Sequence, residues 1–247
     1  MTRIAIIAAM TGELKPFLDA NAKEGWAHEK RGNIHLWRLT WPGGHEWVAA
    51  CAGAGVQAAT RAFAEVEKDG AVSAVISVGW AGALTNQMEA GRVYEVSGVI
   101  DARTGERLLA HRWSAEDSSG IKHWLVTSPI VADAAEKRRL ALAYGMGLDL
   151  GLVDMEAAGV ARLAEMRGIP FYCIKGVSDG FRDQLPDFNR FISQDGKFQL
   201  SRFILFVLIR PRHWSALMRM GENSKKAALG IRERLLENLN RHDGTGA

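Results

Sequence analysis

The amino-acid sequence predicts an α/β fold in a single domain, with a central mixed β-sheet flanked by helices. Strand-length apolar runs alternate with segments whose apolar residues recur at helical spacing, from the first residues to about residue 180. The runs are continuously apolar, as at residues 4–9, which is typical of strands covered on both faces. No repeat or linker divides the chain. We therefore expect one domain over residues 1–247, with a helical C-terminal extension at about 198–241.

The elements follow one another in a regular order. Strands are predicted at residues 4–9, 34–40, 45–51, 72–78, 93–102, 124–130 and 171–177, with a short ribbon at 107–110. Helices are predicted from residue 11, at 56–68, at 133–144 with Asp133 as N-cap, and at 157–167. At the C-terminal end the pattern predicts an apolar helix at 198–209, a short helix at 214–220 that Gly221 ends, and a basic amphipathic helix at 223–240.

Two connections have recognisable turn chemistry. The strands at 34–40 and 45–51 are predicted to pair as a hairpin. Gly53 and Gly55 resemble part of a dinucleotide-binding fingerprint, but the third glycine is absent. A tight strand-to-helix turn explains them without a bound phosphate.

The composition argues against several classes of protein. A formal net charge of +3 with 24% charged residues does not require a nucleic acid or a membrane surface as partner. The longest apolar run, at 203–209, is about a third of a membrane-spanning length, and the N-terminus lacks the apolar core of a signal peptide. Cys51 and Cys173 are expected to be reduced core thiols of a soluble, cytoplasmic protein. The seven scattered histidines have no metal-ligand spacing, so no metal and no cofactor are expected.

Acidic motifs stand at two predicted junctions between strands and helices. Glu156 directly precedes the helix at 157–167, and Ser178 and Asp179 follow the strand at 171–177. Ligands of open α/β sheets bind beyond the carboxyl ends of the strands, so these residues are candidates for one site. Glu13 lies in the first turn of the first helix, where the macrodipole favours a carboxylate, and this alone is enough to explain it.

The chain resembles the purine nucleoside phosphorylase and nucleosidase superfamily, and within it the methylthioadenosine/S-adenosylhomocysteine nucleosidase branch. Four segments carry the resemblance in the family's order: IAIIAAMTGE at 4–13, SVGWAGAL at 77–84, VDMEA at 153–157 and KGVSD at 175–179. The last two, about twenty residues apart, are the most specific. The resemblance implies a single α/β domain, usually assembled as a homodimer, that cleaves the N-glycosidic bond of a small-molecule purine nucleoside.

The resemblance also implies roles for individual residues. Asp179 would protonate or hydrogen-bond purine N7, and Ser178 would orient it. Glu156 would hold the ribose hydroxyls while Met155 packs against the sugar. Glu13 would be the general base that orients the attacking water.

This assignment is chemically coherent because cleavage leaves positive charge on the sugar and negative charge on the base. Asp179 would have to carry a proton at neutral pH, which burial against apolar neighbours such as Phe171 would favour. The first loop offers Glu13 and no arginine, and a carboxylate repels phosphate. Water is therefore the expected nucleophile, with phosphorolysis as the alternative.

The sequence also departs from the family pattern. Trp80, after Gly79, stands where the family usually has a small hydroxyl residue, so the pocket is reshaped there or the indole packs away from it. Arg92 replaces an acid, and residues 128–131 lack the aromatic residue that usually stacks on the base. The apolar and basic C-terminal region resembles the hopanoid-associated members, which release adenine from an adenosine carrying a long polycyclic hydrocarbon.

Three kinds of function therefore stay open. The leading one is hydrolysis of a 5′-substituted adenosine of the methylthioadenosine or S-adenosylhomocysteine type, and a futalosine-type hydrolase is a minor variant. The second is an adenosylhopane-type nucleosidase or phosphorylase, whose C-terminal helices contact a lipid-like substrate or a membrane surface. The third is a non-catalytic nucleoside-binding protein in which Trp80 closes the nucleophile site.

Overall fold

The computed structural model describes residues 2–20, 25–40, 44–113, 123–191, 193, 199, 203, 206 and 213–242. The strands are β1 Arg3–Ala8, β2 Ala27–Arg31, β3 Ile34–Thr40, β4 Glu46–Cys51, β5 Ala74–Ala83, β6 Val93–Glu95, β7 Gly98–Asp101, β8 Arg107–Leu109, β9 Trp124–Thr127, β10 Leu150–Asp154 and β11 Phe171–Asp179. The helices are α1 Thr11–Ala20, α2 Val56–Glu67, α3 Ala134–Tyr144, α4 Ala157–Arg167 and α5 Trp214–His242, with a 3-10 turn at Phe188–Phe191.

The described strands form one mixed sheet, which confirms the predicted fold class. The order is β2-β3-β4-β1-β5-β10-β9-β7-β8, and β11 pairs with β5 and β6. Strand β5 is the centre of this arrangement: it runs parallel to β1 and β11 and antiparallel to β10. The predicted hairpin of β3 and β4 is confirmed.

Both faces of the sheet are covered, as the continuous apolar runs predicted. Successive side chains of β1 point to opposite faces. Ala5 and Ile7 join the core beneath α2 and α4, whereas Ile4 and Ile6 join the core beneath α1 and α5. Among the described residues, no helix has the length and apolarity needed to cross a membrane.

Several predicted boundaries were wrong for identifiable reasons. Strand β5 continues past residue 78 to Ala83 because its glycine-rich second half still pairs with β11 and β10. The predicted strand at 93–102 is two strands, since β6 pairs with β11 and β7 with β9. Strand β2 was missed because it is a largely exposed, polar edge strand with no apolar pattern.

The C-terminal helices also differ from the prediction. Residues 214–242 form one helix of 29 residues, and Gly221 lies inside it instead of ending it. The buried residues Ala227, Ile231 and Leu235 give α5 an apolar face against the rest of the fold, which outweighs a glycine penalty of about 1 kcal/mol. Of the helix predicted at 198–209, residues 203 and 206 are helical and most of the others lie outside the described residues.

Two glycines let α5 approach the sheet closely. A Cβ added to Gly176 on β11 would lie 2.6 Å from Ala227 Cβ, and one added to Gly230 on α5 would lie 2.6 Å from Val93 Cγ2. Real atoms do not approach so closely, so these positions require glycine for the observed packing. The close contact brings α5 over the edge of the sheet at which β11 ends.

We expect Gly176→Ala to destabilise the protein by about 1–3 kcal/mol, because the added methyl group overpacks the contact with α5. Gly221→Ala is the matched control: no atom lies within 4 Å of its added Cβ. It should stabilise the helix by up to about 1 kcal/mol. The free energy of unfolding in urea measures both. A Gly221→Ala variant less stable than Gly176→Ala would contradict the continuous helix.

Candidate active site

A cavity of about 1520 Å³ opens beyond the carboxyl ends of β1, β4 and β11. Six of the seven residues singled out in the sequence line it: Glu13, Trp80, Met155, Glu156, Ser178 and Asp179. Gly79 does not belong to the lining. Residues from four distant parts of the chain thus meet in one space, as the rule for α/β sheets predicts.

Glu13 is buried and makes more contacts than a helix start requires. Its Oε2 accepts hydrogen bonds from the backbone N–H groups of Ala9 and Met10, at 2.9 and 2.8 Å. Its Oε1 accepts one from the Trp80 N–H at 2.8 Å. The carboxylate therefore ties the end of β1 to β5. Burial raises the pKa of Glu13 above its ordinary value, against the lowering effect of these hydrogen bonds and of Lys175.

Gly79 makes this contact possible. Its φ of +143° is a conformation that residues with a side chain rarely adopt. A Cβ at this position would lie 2.7 Å from Glu13 Oε1. Gly79 therefore supports the site by leaving room for the carboxylate of Glu13, and it does not itself face the cavity.

Trp80 lines the cavity and also packs against its walls. Its indole Nε1–H donates to the backbone oxygen of Ser224 in α5 at 2.9 Å. Its ring edge is 3.2 Å from where a Cβ on Gly12 would lie. Trp80 thus joins β5 to α5 beside the loop that leads into α1. The sequence left open whether Trp80 reshapes the pocket or packs away from it. In the structure Trp80 both lines the cavity and packs against its walls.

A buried ion pair underlies Glu156. Lys175 Nζ lies 2.9 Å from Asp154 Oδ2 and donates to Ser77 Oγ at 3.1 Å. Asp154 also accepts hydrogen bonds from the Ala157 N–H and the Thr127 hydroxyl, at 2.9 and 2.8 Å. Neither Lys175 nor Asp154 has a role in the sequence prediction, although both belong to the motifs that carry the family resemblance.

Glu156 itself is held by the turn between β4 and α2. The Gly55 N–H donates to its Oε1 at 2.8 Å, and Gly55 has a φ of +95°. This confirms the tight turn predicted for Gly53 and Gly55. Burial, and then the nearby Asp154, raise the pKa of Glu156 to about 8, although Lys175 lowers it. This raised pKa favours the protonated form of Glu156 near neutral pH.

Asp179, the last residue of β11, is not surrounded as the sequence suggested. Phe171 lies at the other end of the strand, roughly 26 Å away at about 3.3 Å per residue. Instead, the Ser178 hydroxyl donates to Asp179 Oδ1 at 2.6 Å, and Lys137 Nζ forms an ion pair with Oδ2. Asp179 is buried, as expected, but its neighbour is a cation.

Sequence reasoning missed Lys137 because it lies on α3, outside every quoted motif. It occupies a buried position three residues before Leu140, where helical periodicity favours an apolar residue. A lysine on the apolar face of a short helix was the signal available in the sequence. Among the residues the structure describes, no group of three or more His, Cys, Asp or Glu side chains could hold a metal ion.

We expect the contribution of Glu156 to the free energy of unfolding to fall as the pH rises from about 4.5 to about 8. The folded state binds one more proton than the unfolded chain in that window, because the pKa of Glu156 is raised from 4.5 to about 8. Each pH unit then removes roughly 1.4 kcal/mol of unfolding free energy for one proton. Burial of Glu13 adds an effect of the same sign.

Urea unfolding across this window tests the effect in the wild type and in Glu156→Gln, which cannot titrate. The variant should show a shallower fall in stability than the wild type. Glu89→Gln is the matched control at an exposed position and should follow the wild type. Parallel pH dependence in the wild type and Glu156→Gln would contradict the burial of a protonated Glu156.

Comparison with known proteins gives one sequence match. A sequence model described as the phosphorylase superfamily matches residues 3–141. This span contains Glu13, Trp80 and Lys137 and ends before Met155. No curated protein sequence matches the chain.

Solved structures with a similar fold include three that cover almost the whole chain. One is the 5′-methylthioadenosine/S-adenosylhomocysteine nucleosidase from Helicobacter pylori with butyl-thio-DADMe-Immucillin-A: 15% identity, 98% of this chain, 99% of the other and a TM-score of 0.71. Another is a futalosine hydrolase mutant of Helicobacter pylori, with 14% identity. The match covers 98% of this chain and 100% of the other, with a TM-score of 0.71. The third is the Arabidopsis thaliana 5′-methylthioadenosine nucleosidase in apo form, with 16% identity. The match covers 100% of this chain and 98% of the other, with a TM-score of 0.71. At these identities the likeness concerns the fold.

Proposed function

Because the chain belongs to the phosphorylase superfamily, we propose that it hydrolyses the N-glycosidic bond of a 5′-substituted adenosine and releases adenine. One observation carries the proposal: Glu13, Glu156 and the hydrogen-bonded pair of Ser178 and Asp179 line the same cavity. Hydrolysis of such a bond needs a proton donor on the base side, and acidic side chains near the sugar that hold its hydroxyls and the attacking water. The cavity offers both.

In this proposal the base lies at the end of β11. Asp179 delivers the proton that purine N7 takes as the bond breaks, and the Ser178 hydroxyl fixes the carboxyl group by donating to Oδ1. On the sugar side, Glu156 binds the ribose hydroxyls and Met155 packs against the ring. Both line the cavity next to the Gly55 turn.

Glu13 is proposed to hold the attacking water. Each carboxylate oxygen has two lone pairs, and Oε1 accepts the Trp80 N–H, which leaves one lone pair for a water. As the water oxygen bonds to the anomeric carbon, its proton moves to Glu13. The three backbone N–H groups on Glu13 hold the carboxylate in place before substrate arrives, so the general base is preorganised.

The carboxylate of Glu13 favours water over phosphate as the nucleophile. Among the described lining residues, the cationic side chains are Lys15 on α1 and Lys225 and Arg232 on α5. Lys15 is exposed and pairs with Asp19. A phosphate placed beside Glu13 would meet a buried carboxylate. Hydrolysis is therefore the proposed reaction, and phosphorolysis is the outcome that would correct it.

We expect Asp179→Asn to lower kcat for adenine release by roughly 100- to 10,000-fold, the usual contribution of a general acid. Asp187→Asn, an exposed residue outside the cavity lining, is the matched control and should keep wild-type activity. The assay measures free base from methylthioadenosine, S-adenosylhomocysteine, adenosine and inosine, with and without phosphate.

Each outcome of this assay has a defined meaning. Phosphate-independent release of base supports hydrolysis, and phosphate-dependent release would replace it with phosphorolysis. Purine binding without release from any substrate would indicate a nucleoside-binding protein. Equal activity of Asp179→Asn and the wild type would remove Asp179 from the mechanism.

A second candidate substrate is favoured by the size and polarity of the cavity. Its volume of about 1520 Å³ exceeds the usual range of roughly 300–1,000 Å³ for small-molecule pockets. The part between α1, the 3-10 turn and α5 contains the apolar residues Pro16, Leu185, Phe188, Leu217 and Met220. Such a space suits a long hydrocarbon at the 5′ position, as in an adenosylhopane-type substrate.

We expect kcat/KM to rise with the length of an alkylthio group at the 5′ position. Burial of one methylene contributes about 0.8 kcal/mol, which corresponds to about fourfold per carbon. Leu217→Glu should abolish this rise while leaving the methylthio substrate unaffected. Met218→Glu, on the exposed side of α5, should keep the rise. A flat or falling series would favour the small 5′ substituent.

Assembly and location stay predictions from the sequence and from the family resemblance. These are the homodimer, the cytoplasmic location, and contact of the C-terminal helices with a lipid-like substrate or a membrane surface.

A further inference from the structure

Lys137 is a buried cation that the proposed mechanism has not used. Its exposed fraction is 1%, and it does not line the cavity. Its ammonium group forms an ion pair with Asp179 Oδ2 and donates to the backbone oxygen of Gly180 at 2.7 Å. It thus lies directly behind the carboxyl group that faces the cavity. Burying a charge costs several kcal/mol unless it is paired, so the position requires Asp179.

The surrounding elements are shaped for this contact. Lys137 extends from α3, whose first turn is capped by the Asp133 side chain, toward the end of β11. A Cβ on Gly82 of β5 would lie 2.9 Å from Lys137 Cε and 3.2 Å from Asp179 Oδ2. The missing side chain at Gly82 leaves the space in which the two groups meet. The Gly180 backbone is fixed in turn, because its N–H donates to Asp183 Oδ2 at 2.7 Å.

The acidic groups Asp154, Asp183 and Glu136 have partners of their own. Asp154 on β10 pairs with Lys175. Asp183 accepts the Gly180 N–H, and on α3 itself Glu136 pairs with Arg139. Of these carboxyl groups, Asp179 is therefore the one that compensates the charge of Lys137.

We propose that Lys137 is a positioning residue for Asp179. Lys137 keeps the carboxyl group of Asp179 ionised before the nucleoside binds, and it supplies, through Asp179, the proton that the leaving purine takes. This inference rests on the proposed function. When the bond between C1′ and N9 breaks, its electron pair goes to the base. A proton passes from Lys137 Nζ to the carboxyl group of Asp179, and a proton passes from that group to N7.

The charges balance at each step. Water bonds to C1′ and gives a proton to Glu13, Lys137 becomes a neutral amine, and Asp179 ends as it began. The amine then regains a proton from solvent as Glu13 loses one. The transfer is physically reasonable because protonation of Asp179 alone would leave Lys137 as a buried charge without a counterion. Moving the proton along the pair avoids this cost.

The charge state of Asp179 is tested first, by a measurement that does not depend on turnover. Infrared difference spectra between the wild type and Asp179→Asn at neutral pH should contain the band of an ionised carboxylate. The same comparison is made without Lys137, between the single variant Lys137→Met and the double variant Lys137→Met/Asp179→Asn. This difference spectrum should contain the band of a protonated carboxyl group instead. A protonated Asp179 in the wild type, or an ionised one in Lys137→Met, would overturn the proposal.

Kinetics test the proton transfer. Lys137→Met should lower kcat for adenine release by about 100-fold or more, with KM changed only a few-fold. Lys137→Arg restores the charge but cannot give up a proton, so it should stay close to Lys137→Met in kcat. Recovery of kcat to within tenfold of the wild type by Lys137→Arg would reduce Lys137 to a structural cation. A kcat within threefold of the wild type in Lys137→Met would overturn the proposal.

A matched control separates chemistry from stability. Arg162→Met also removes the cation from a buried carboxylate, Asp101, and neither residue lines the cavity. It should lower the free energy of unfolding while leaving kcat unchanged.

If Lys137→Arg does not fold, the infrared spectra and Lys137→Met still decide. If the wild type releases no base from any nucleoside, the proposed function fails, and the infrared spectra alone decide whether Lys137 controls the charge of Asp179.

Discussion

The buried ion pair between Lys175 and Asp154 is the constraint on which the site depends. Lys175 belongs to β11 and Asp154 to β10, and both strands pair with β5 between them. The pair therefore fixes two strands whose next residues carry the chemistry: Glu156 follows Asp154 by two positions, and Asp179 follows Lys175 by four. A buried pair of this kind resists separation, because either partner alone would be an uncompensated charge.

The site contains more buried acid than its cations neutralise, and this sets its protonation. Asp154 is compensated by Lys175, and Asp179 by Lys137. Glu13 is compensated by three backbone N–H groups instead of a side chain. Burial, and then the nearby Asp154, raise the pKa of Glu156 to about 8, which favours its protonated form. Protonated and ionised acidic side chains thus lie together in the cavity where cleavage of a glycosidic bond would develop positive charge on the sugar and negative charge on the base.

Glycines decide how closely these groups approach one another. Gly79 leaves room for the carboxylate of Glu13, Gly82 for the meeting of Lys137 and Asp179, and Gly176 for α5 against β11. Two of the three lie in the second half of β5, beyond residue 78, where the predicted strand ended. Packing requires glycine at these three positions, and local sequence patterns do not predict this requirement.

The sequence by itself determined the fold class, the hairpin of β3 and β4, and six of the residues that line the cavity. These follow from apolar periodicity and from short motifs, which are local properties of the chain. Only the tertiary structure decided the partners of the acids. Lys137 is 42 residues away from Asp179 along the chain, and Phe171, eight residues away, lies at the opposite end of a strand. It also decided that α5 continues through Gly221, because burial against the sheet outweighs the local cost of a glycine.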